Sequence, residues 1–195
     1  IQSILGQFPD TIISVDTFRQ EVAMQALSAG AFMVNDISGG EMDAAMLSWV
    51  CENNIPYVLM HMQGTPQTMQ DNPKYEDVFQ EVFDSLASRL NGLKANGASQ
   101  IVIDPGLGFG KTVEHNFSLL NRLDRFQQLQ APVLAGLSRK SMIWKTLNST
   151  PDQSLNGTTA LNSIALMKGA NILRVHDVKE AKECVRLGLA LASQD

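Results

Sequence analysis

A parallel α/β fold of repeated βα units, of (β/α)8 TIM-barrel type, follows from three features of this 195-residue chain. Short apolar runs alternate six times with segments of helical periodicity, the pattern of a parallel sheet with helices outside it. Every apolar run ends in a polar residue. A dipeptide also recurs: Gly30-Ala31, Gly97-Ala98 and Gly169-Ala170 each close a helical segment just before a strand. Polar residues behind all six strands favour a barrel over a doubly wound sheet, where ligand-bearing ends cluster at one switch point. Six units in 195 residues run to about 32 each, so eight would take about 260, near the ~250 usual for such a barrel. The expectation is one barrel domain over 1–195 with two N-terminal units absent from this sequence, because an open six-stranded sheet would leave unpaired edges.

The elements follow in order. Thr11–Val15 (TIISV) reads as the first strand, ending in Asp16 and Thr17, with Phe18–Ala29 as its helix. Ala31–Val34 leads into Asn35-Asp36, and Met42–Asn53 has helical spacing. Tyr57–Met60 runs into His61 and a loop at 62–73, then a long helix from about Glu76 to Asn96. Ile101–Ile103 is a buried strand that opens on Asp104 and the glycine-rich PGLGFGK, followed by a helix from about Glu114 to Gln128. Pro132–Ala135 precedes Gly136-Leu137-Ser138-Arg139-Lys140, with helices near Ser141–Leu147 and Thr158–Met167. Asn171–Leu173 leads into Arg174-Val175-His176-Asp177 and a last helix from about Lys179 to Ala192.

Composition narrows the function classes. A hydrophobic share of 44% with 18% charged residues is ordinary for a soluble globular domain. No apolar run approaches the ~18 residues of a membrane span, so no membrane partner is expected. A net charge of −5, with no basic stripe among aromatics, argues against a nucleic-acid surface. Cys51 and Cys184 lie far apart in helical patterns and suit reduced thiols in a cytoplasmic compartment.

Singly, each polar strand end has a bland reading. Asp16 can be a helix cap, Asn35-Asp36 with Ser38-Gly39-Gly40 a turn, His61 a core histidine, and Asp104 a turn cap. Together they describe a ligand. Lys111, Arg139, Lys140, Arg174 and His176 gather positive charge near strand ends of an acidic protein, and two carboxylates with an Asn supply acceptors. Arg174 and His176, two apart, project to one side and can share an anion. The implied ligand has a flat, donor-rich ring at one end and anionic groups at the other.

The stretches SVDT (14–17), VNDISGG (34–40), LMHMQGTP (59–66), DPGLGFGK (104–111), GLSRKS (136–141) and RVHDV (174–178) resemble, in order, the strand-end motifs of dihydropteroate synthases. The resemblance covers essentially the whole chain and implies the third to eighth units of a (β/α)8 barrel. The family condenses 6-hydroxymethyl-7,8-dihydropterin pyrophosphate with p-aminobenzoate, giving 7,8-dihydropteroate and pyrophosphate for folate synthesis. The resemblance implies pterin contacts from Asp16, Asn35, Asp104 and Lys140, lined by Ile37 and Met60; pyrophosphate contacts from Arg174 and His176; and p-aminobenzoate contacts from Phe109, Arg139, Lys140 and Ser141. Lys140, Arg174, His176 and Asp104 would carry catalysis. Mg²⁺ and a homodimer are implied in the same way, although no metal ligand is visible in this sequence, and the family's first two strand-end loops are not in it. A related pterin-binding barrel that serves methyl transfer is the alternative, and SRKS with RVHDV counts against it. A non-catalytic binding fragment is the third reading.

Overall fold

The computed structural model describes residues 1–69 and 71–193; position 70, inside the loop expected at 62–73, lies outside the described residues. They form two compact units, Ile1–Met62 with Asp84–Ile103, and Gln63–Phe83 with the chain from Asp104 onward.

The first unit contains α1 (Gln2–Gln7), β1 (Ser14–Asp16), α2 (Gln20–Ser28), β2 (Met33–Asp36), α3 (Met46–Asn53) and β3 (Tyr57–Met60). It continues with the second half of α4 (Val78–Ala95) and with β4 (Ile101–Asp104), whose last residue opens the second unit. The strand order is β1-β2-β3-β4, with β1 and β2 parallel in register Val15↔Val34 and β2 and β3 parallel in register Asn35↔Val58. Every residue of β3 and β4 is buried, as the unbroken apolar runs YVL and IVI require of parallel strands covered on both faces. Leu86, Leu90 and Leu93 of α4 lie on one helical stripe and are buried with Met46 and Val50 of α3.

The Gly-Ala repeat marks a common helix closure. Gly30 and Gly97 take φ of 102° and 98°, and the next amide reaches back five residues, Ala31 to Ala26 at 2.9 Å and Ala98 to Leu93 at 3.0 Å. This is the 6→1 bond of a Schellman ending, which needs the left-handed conformation that glycine adopts without a β-carbon clash. Asn54 does the same for α3 at φ 47°, with Ile55 bonded to Val50.

The second unit contains α5 (Val113–Asn121), a 3₁₀ segment Leu123–Leu129, β5 (Leu134–Ala135), α6 (Ser141–Thr146), α7 (Leu155–Met167), β6 (Ile172–Leu173) and α8 (Val178–Ala192). β5 and β6 pair in parallel, Leu134 opposite Ile172. Leu119, Leu123, Phe126, Val133, Leu137 and Met142 are fully buried, and Phe79, Phe83 and Phe126 stack at centroid distances of 5.2–5.9 Å. α5 opens on a reciprocal cap: Thr112 Oγ1 accepts the His115 amide at 3.2 Å and His115 Nδ1 accepts the Thr112 amide at 3.3 Å.

Two of the helix boundaries that differ from expectation do so for tertiary reasons. The helix expected from Met42 begins at Met46, because Asp43 spends its carboxylate on the amides of Ala45 and Gln20. The helix expected over 114–128 stops at Arg122, whose guanidinium is held by Asp77 and Ser118, and the chain continues as 3₁₀. Among the described residues no helix is long and apolar enough to cross a membrane.

Candidate active site

In the first unit the parallel register sets Asp16 beside Asn35, and Asn35 Nδ2 donates to Asp16 Oδ2 at 3.2 Å. Asn35 is buried and its Oδ1 has no hydrogen-bond partner among the described residues. A buried carbonyl left so costs about 1–3 kcal/mol, which makes an N–H of a ligand its natural partner. The neighbouring Asp36 has a different task. Fully buried, it accepts from the Ser38 amide (2.8 Å), the Ser38 hydroxyl (2.7 Å), the Gly40 amide (3.0 Å) and the Tyr57 hydroxyl (2.8 Å). Burial, and then the Asp36 charge, push the Tyr57 phenol well above its usual range, so it stays a donor. Arg89 donates to Gly39 O at 3.3 Å and pairs with Glu41, closing the loop from outside. Ile37 beside it is half-buried; Met60 is buried at the end of β3, with His61 half-buried just beyond.

The second unit holds the charged cluster. Asp104 is buried at the end of β4, and its Oδ1 accepts the Gly106 amide at 2.7 Å. Burial raises its carboxyl pKa, opposed in order by Lys140, the Gly106 amide, Lys111 and Arg174. Lys140 donates from Nζ to Leu107 O and sits 4.8 Å from the centre of the Phe109 ring. Burial brings the Lys140 amine down to about 8, in spite of Asp104. A β-carbon at Gly136 would lie 3.5 Å from Lys140 Nζ and 3.9 Å from Arg174 Cβ, so the glycine leaves room where these two side chains approach.

Much of the glycine-rich loop's backbone is hydrogen-bonded. Lys111, 3% exposed, donates to Gly106 O at 3.0 Å and Phe109 O at 2.9 Å. The Gly108 amide donates to Asn116 Oδ1 at 2.6 Å, and the Tyr75 hydroxyl donates to Gly110 O at 2.9 Å. Gly110, at φ 59°, passes so near residue 63 that a β-carbon would stand 2.6 Å from Gln63 O.

The five cations expected together are therefore divided in their tasks. Lys111 is inside, bonded to the loop. Arg139, at φ 55°, is turned to Asp177 by two bonds of 3.0 and 2.7 Å, with Asp152 at 3.8 Å. Those bonds hold the Arg139 guanidinium above, and the Asp177 carboxyl below, their ordinary pKa ranges. His176 is exposed, its Nδ1 3.0 Å from the Ser138 hydroxyl, which also accepts the His176 amide at 3.2 Å. Ser141, half-buried, begins α6. Lys140, Arg174 and Phe109 surround the approach to Asp104, a set suited to a ring with N–H donors and an attached anion.

Three supporting residues had no place in the sequence expectation. Asp36 and Asp177 stand inside motifs but read there as a turn and a neighbour, and only the fold shows their partners. Asn116 carries no signal at all, since an Asn on the first turn of a helix is ordinary.

The family of pterin binding enzymes matches residues 1–176, and the chain belongs to that family. Its relatives include dihydropteroate synthases. It is 43% identical over 193 residues to the dihydropteroate synthase of Escherichia coli strain K12, covering 96% of this chain and 66% of that protein. The chain thus spans just under two thirds of that relative's length. A Yersinia pestis dihydropteroate synthase crystal structure with a sulfonamide drug complex superposes on 100% of this chain and 71% of its own, at 36% identity and a TM-score of 0.94. The Thermus thermophilus enzyme has been solved with 6HMPPP, at 39% identity, a TM-score of 0.90 and coverage of 98% and 76%, and also with 4-aminobenzoate. The expected α/β fold of TIM-barrel type is the fold of these structures.

Proposed function

We propose that this chain carries the pterin-, pyrophosphate- and p-aminobenzoate-handling residues of a dihydropteroate synthase, a transferase of folate biosynthesis. The observation that carries the reading is Asp104: a buried carboxylate faced by Lys140, Lys111 and Arg174, inside a chain 43% identical to such an enzyme. In the first unit Asp16 and Asn35 offer acceptors for pterin N–H groups, with Ile37 and Met60 as apolar lining. In the second, Asp104 accepts from the ring and Lys140 donates to it. Arg174 and His176 receive the pyrophosphate, and Phe109, Arg139, Lys140 and Ser141 the p-aminobenzoate. The Arg139 side chain would act with Asp177 attached, offering its remaining donors.

The reaction then proceeds by charge stabilisation. The C–O bond between the hydroxymethyl carbon and pyrophosphate breaks, and the electron pair leaves with the pyrophosphate oxygen. The positive charge spreads into the electron-rich dihydropterin, whose N–H groups Asp104 holds. The arylamine nitrogen attacks the methylene carbon, and one of its two N–H protons passes to the released pyrophosphate, completing the substitution. No covalent nucleophile is required. Preorganised groups of this sort contribute roughly 10²–10³ in rate each, and positioning of the amine adds to that.

Mg²⁺ enters the proposal as the companion of pyrophosphate. Among the described residues no group of three or more His, Cys, Asp or Glu side chains could hold a metal ion, so none of the steps above is routed through one. A cytoplasmic enzyme is supported by the two unbridged thiols, Cys51 and Cys184. A homodimer is supported by exposed Leu187, Leu189 and Leu191 on α8.

Calorimetric titration with the pterin pyrophosphate, followed by p-aminobenzoate, tests the reading. Binding of both in sequence is expected. A response to methylated folate with none to p-aminobenzoate would favour methyl-transfer chemistry, and silence to all three would leave a non-catalytic fragment.

A further inference from the structure

The loop from Asp104 to Thr112 contains three glycines with positive φ, a composition that should make it loose. It is instead pinned, and a single cation does much of the pinning. Lys111 is 3% exposed, and its Nζ donates to both Gly106 O and Phe109 O. Gly106 faces both ways: its carbonyl is on Lys111 and its amide on Asp104. The Phe109 amide closes the turn onto Gly106 O at 3.0 Å. Phe109 in turn presents its ring 4.8 Å from Lys140 Nζ. Burying an ammonium is costly unless it is fully bonded, so this lysine is not there for solubility or for a solvated charge.

We propose that Lys111 is the positioning residue of this site: its ammonium clamps the carbonyls of Gly106 and Phe109, which sets the orientation of the Asp104 carboxylate and the Phe109 ring. It need not touch either substrate. The role rests on the dihydropteroate synthase reading for its consequence, though not for the clamp itself. The charged groups that face Lys111 are Asp104, which favours its protonation, and Lys140, which opposes it. Burial is the larger influence and brings the amine down to about 7, so the clamp carries its full charge on the acid side of neutrality.

The test has one arm that needs no ligand. Amide hydrogen exchange is followed residue by residue in the wild type, in Lys111→Met and in Lys111→Gln at pH 6, where the wild-type amine is charged. Protection at Gly106, Gly108 and Phe109 is expected in the wild type and lost in both variants, while Ile101–Ile103 stays protected in all three. In Lys111→Met, verified as folded by its melting curve, the same amides should exchange roughly tenfold faster or more, the scale of one charge-assisted bond lost. Pterin pyrophosphate and p-aminobenzoate should both bind roughly tenfold or more weaker to this variant, since one clamp serves both ligands. Unchanged loop protection in folded Lys111→Met, or in Lys111→Gln should the first variant fail to fold, overturns the clamp. Loop loosening without any change in binding overturns its role in the site. If wild-type protein binds neither ligand while the loop loosens as described, the clamp stands and the enzymatic reading falls.

Discussion

Asp104 shows how much of the site's behaviour comes from one side chain. Its carboxylate is buried, which raises its pKa, and Lys140, the Gly106 amide, Lys111 and Arg174 oppose that rise. Asp104→Asn keeps the volume but replaces an acceptor by an amide that presents donors to donors. We expect pterin binding to vanish in calorimetry with the melting temperature little changed; undiminished affinity would remove Asp104 from the ring site. Arg174 is exposed and belongs to a different part of the ligand. Arg174→Ala should weaken pterin pyrophosphate by roughly tenfold or more, a charged hydrogen bond's worth, and leave the unphosphorylated pterin alcohol unaffected. Equal losses for both would contradict a pyrophosphate role. At this scale the sequence was legible where a motif states the residue type, as with Asp104 and Lys140. It was silent where a partner is distant: nothing near Arg139 announces that Asp177, 38 positions on, takes two of its donors.

Elements were legible where local pattern and tertiary demand agree. Tyr57–Met60 forms the strand its apolar run implies, residue for residue. The three Gly-Ala pairs close helices as expected, Gly169 at φ 88° with Ala170 bonded to Ala165 completing the set. Agreement failed where a side chain found a partner far away, as Asp43 did in delaying α3 and Arg122 in ending α5. β1 was displaced toward Asp16 because ladder pairing with β2 continues through Asp16↔Asn35, although Asp is a poor strand former on its own. α5 offers the element-scale prediction. Its start rests on the Thr112–His115 reciprocal cap, just behind the glycine loop. Thr112→Ala should cost about 1 kcal/mol, seen as a fall of about 2–4 °C in the midpoint of thermal unfolding for a chain of this size. No change would mean that packing, not the cap, sets where α5 begins.

For the whole molecule, the buried amines shape stability against pH. Lys111 and Lys140 have folded values of about 7 and about 8, below the ordinary 10.5. Between those limits the unfolded chain holds more protons than the native one, so stability rises with pH. The raised groups act in the opposite sense. Cys51 sits above its usual 9.0 and Tyr75 is pushed to about 12 from 10.0, both chiefly by burial. Above pH 9 to 10 the native state therefore retains protons that the unfolded chain releases, which opposes the rise from the lysines and makes stability fall once the lysine window ends near 10.5. Urea unfolding is expected to show its highest midpoint on the alkaline side, between pH 9.0 and 10.5, with the limb between 7 and 9 flattened in Lys111→Met. A midpoint that declines steadily from pH 7 would mean the lysines are not the burdened groups.

The two thiols stand in unlike surroundings, and that has a practical outcome. Cys51 is half-buried on α3 beside Leu93 O, whereas Cys184 of α8 is buried and lies 3.5 Å from Thr159 O of α7. An alkylating reagent would thus find the first in the intact protein and the second only when α8 lifts from α7. The difference between their labelling rates becomes a clock for opening of the last helices, needing no added probe.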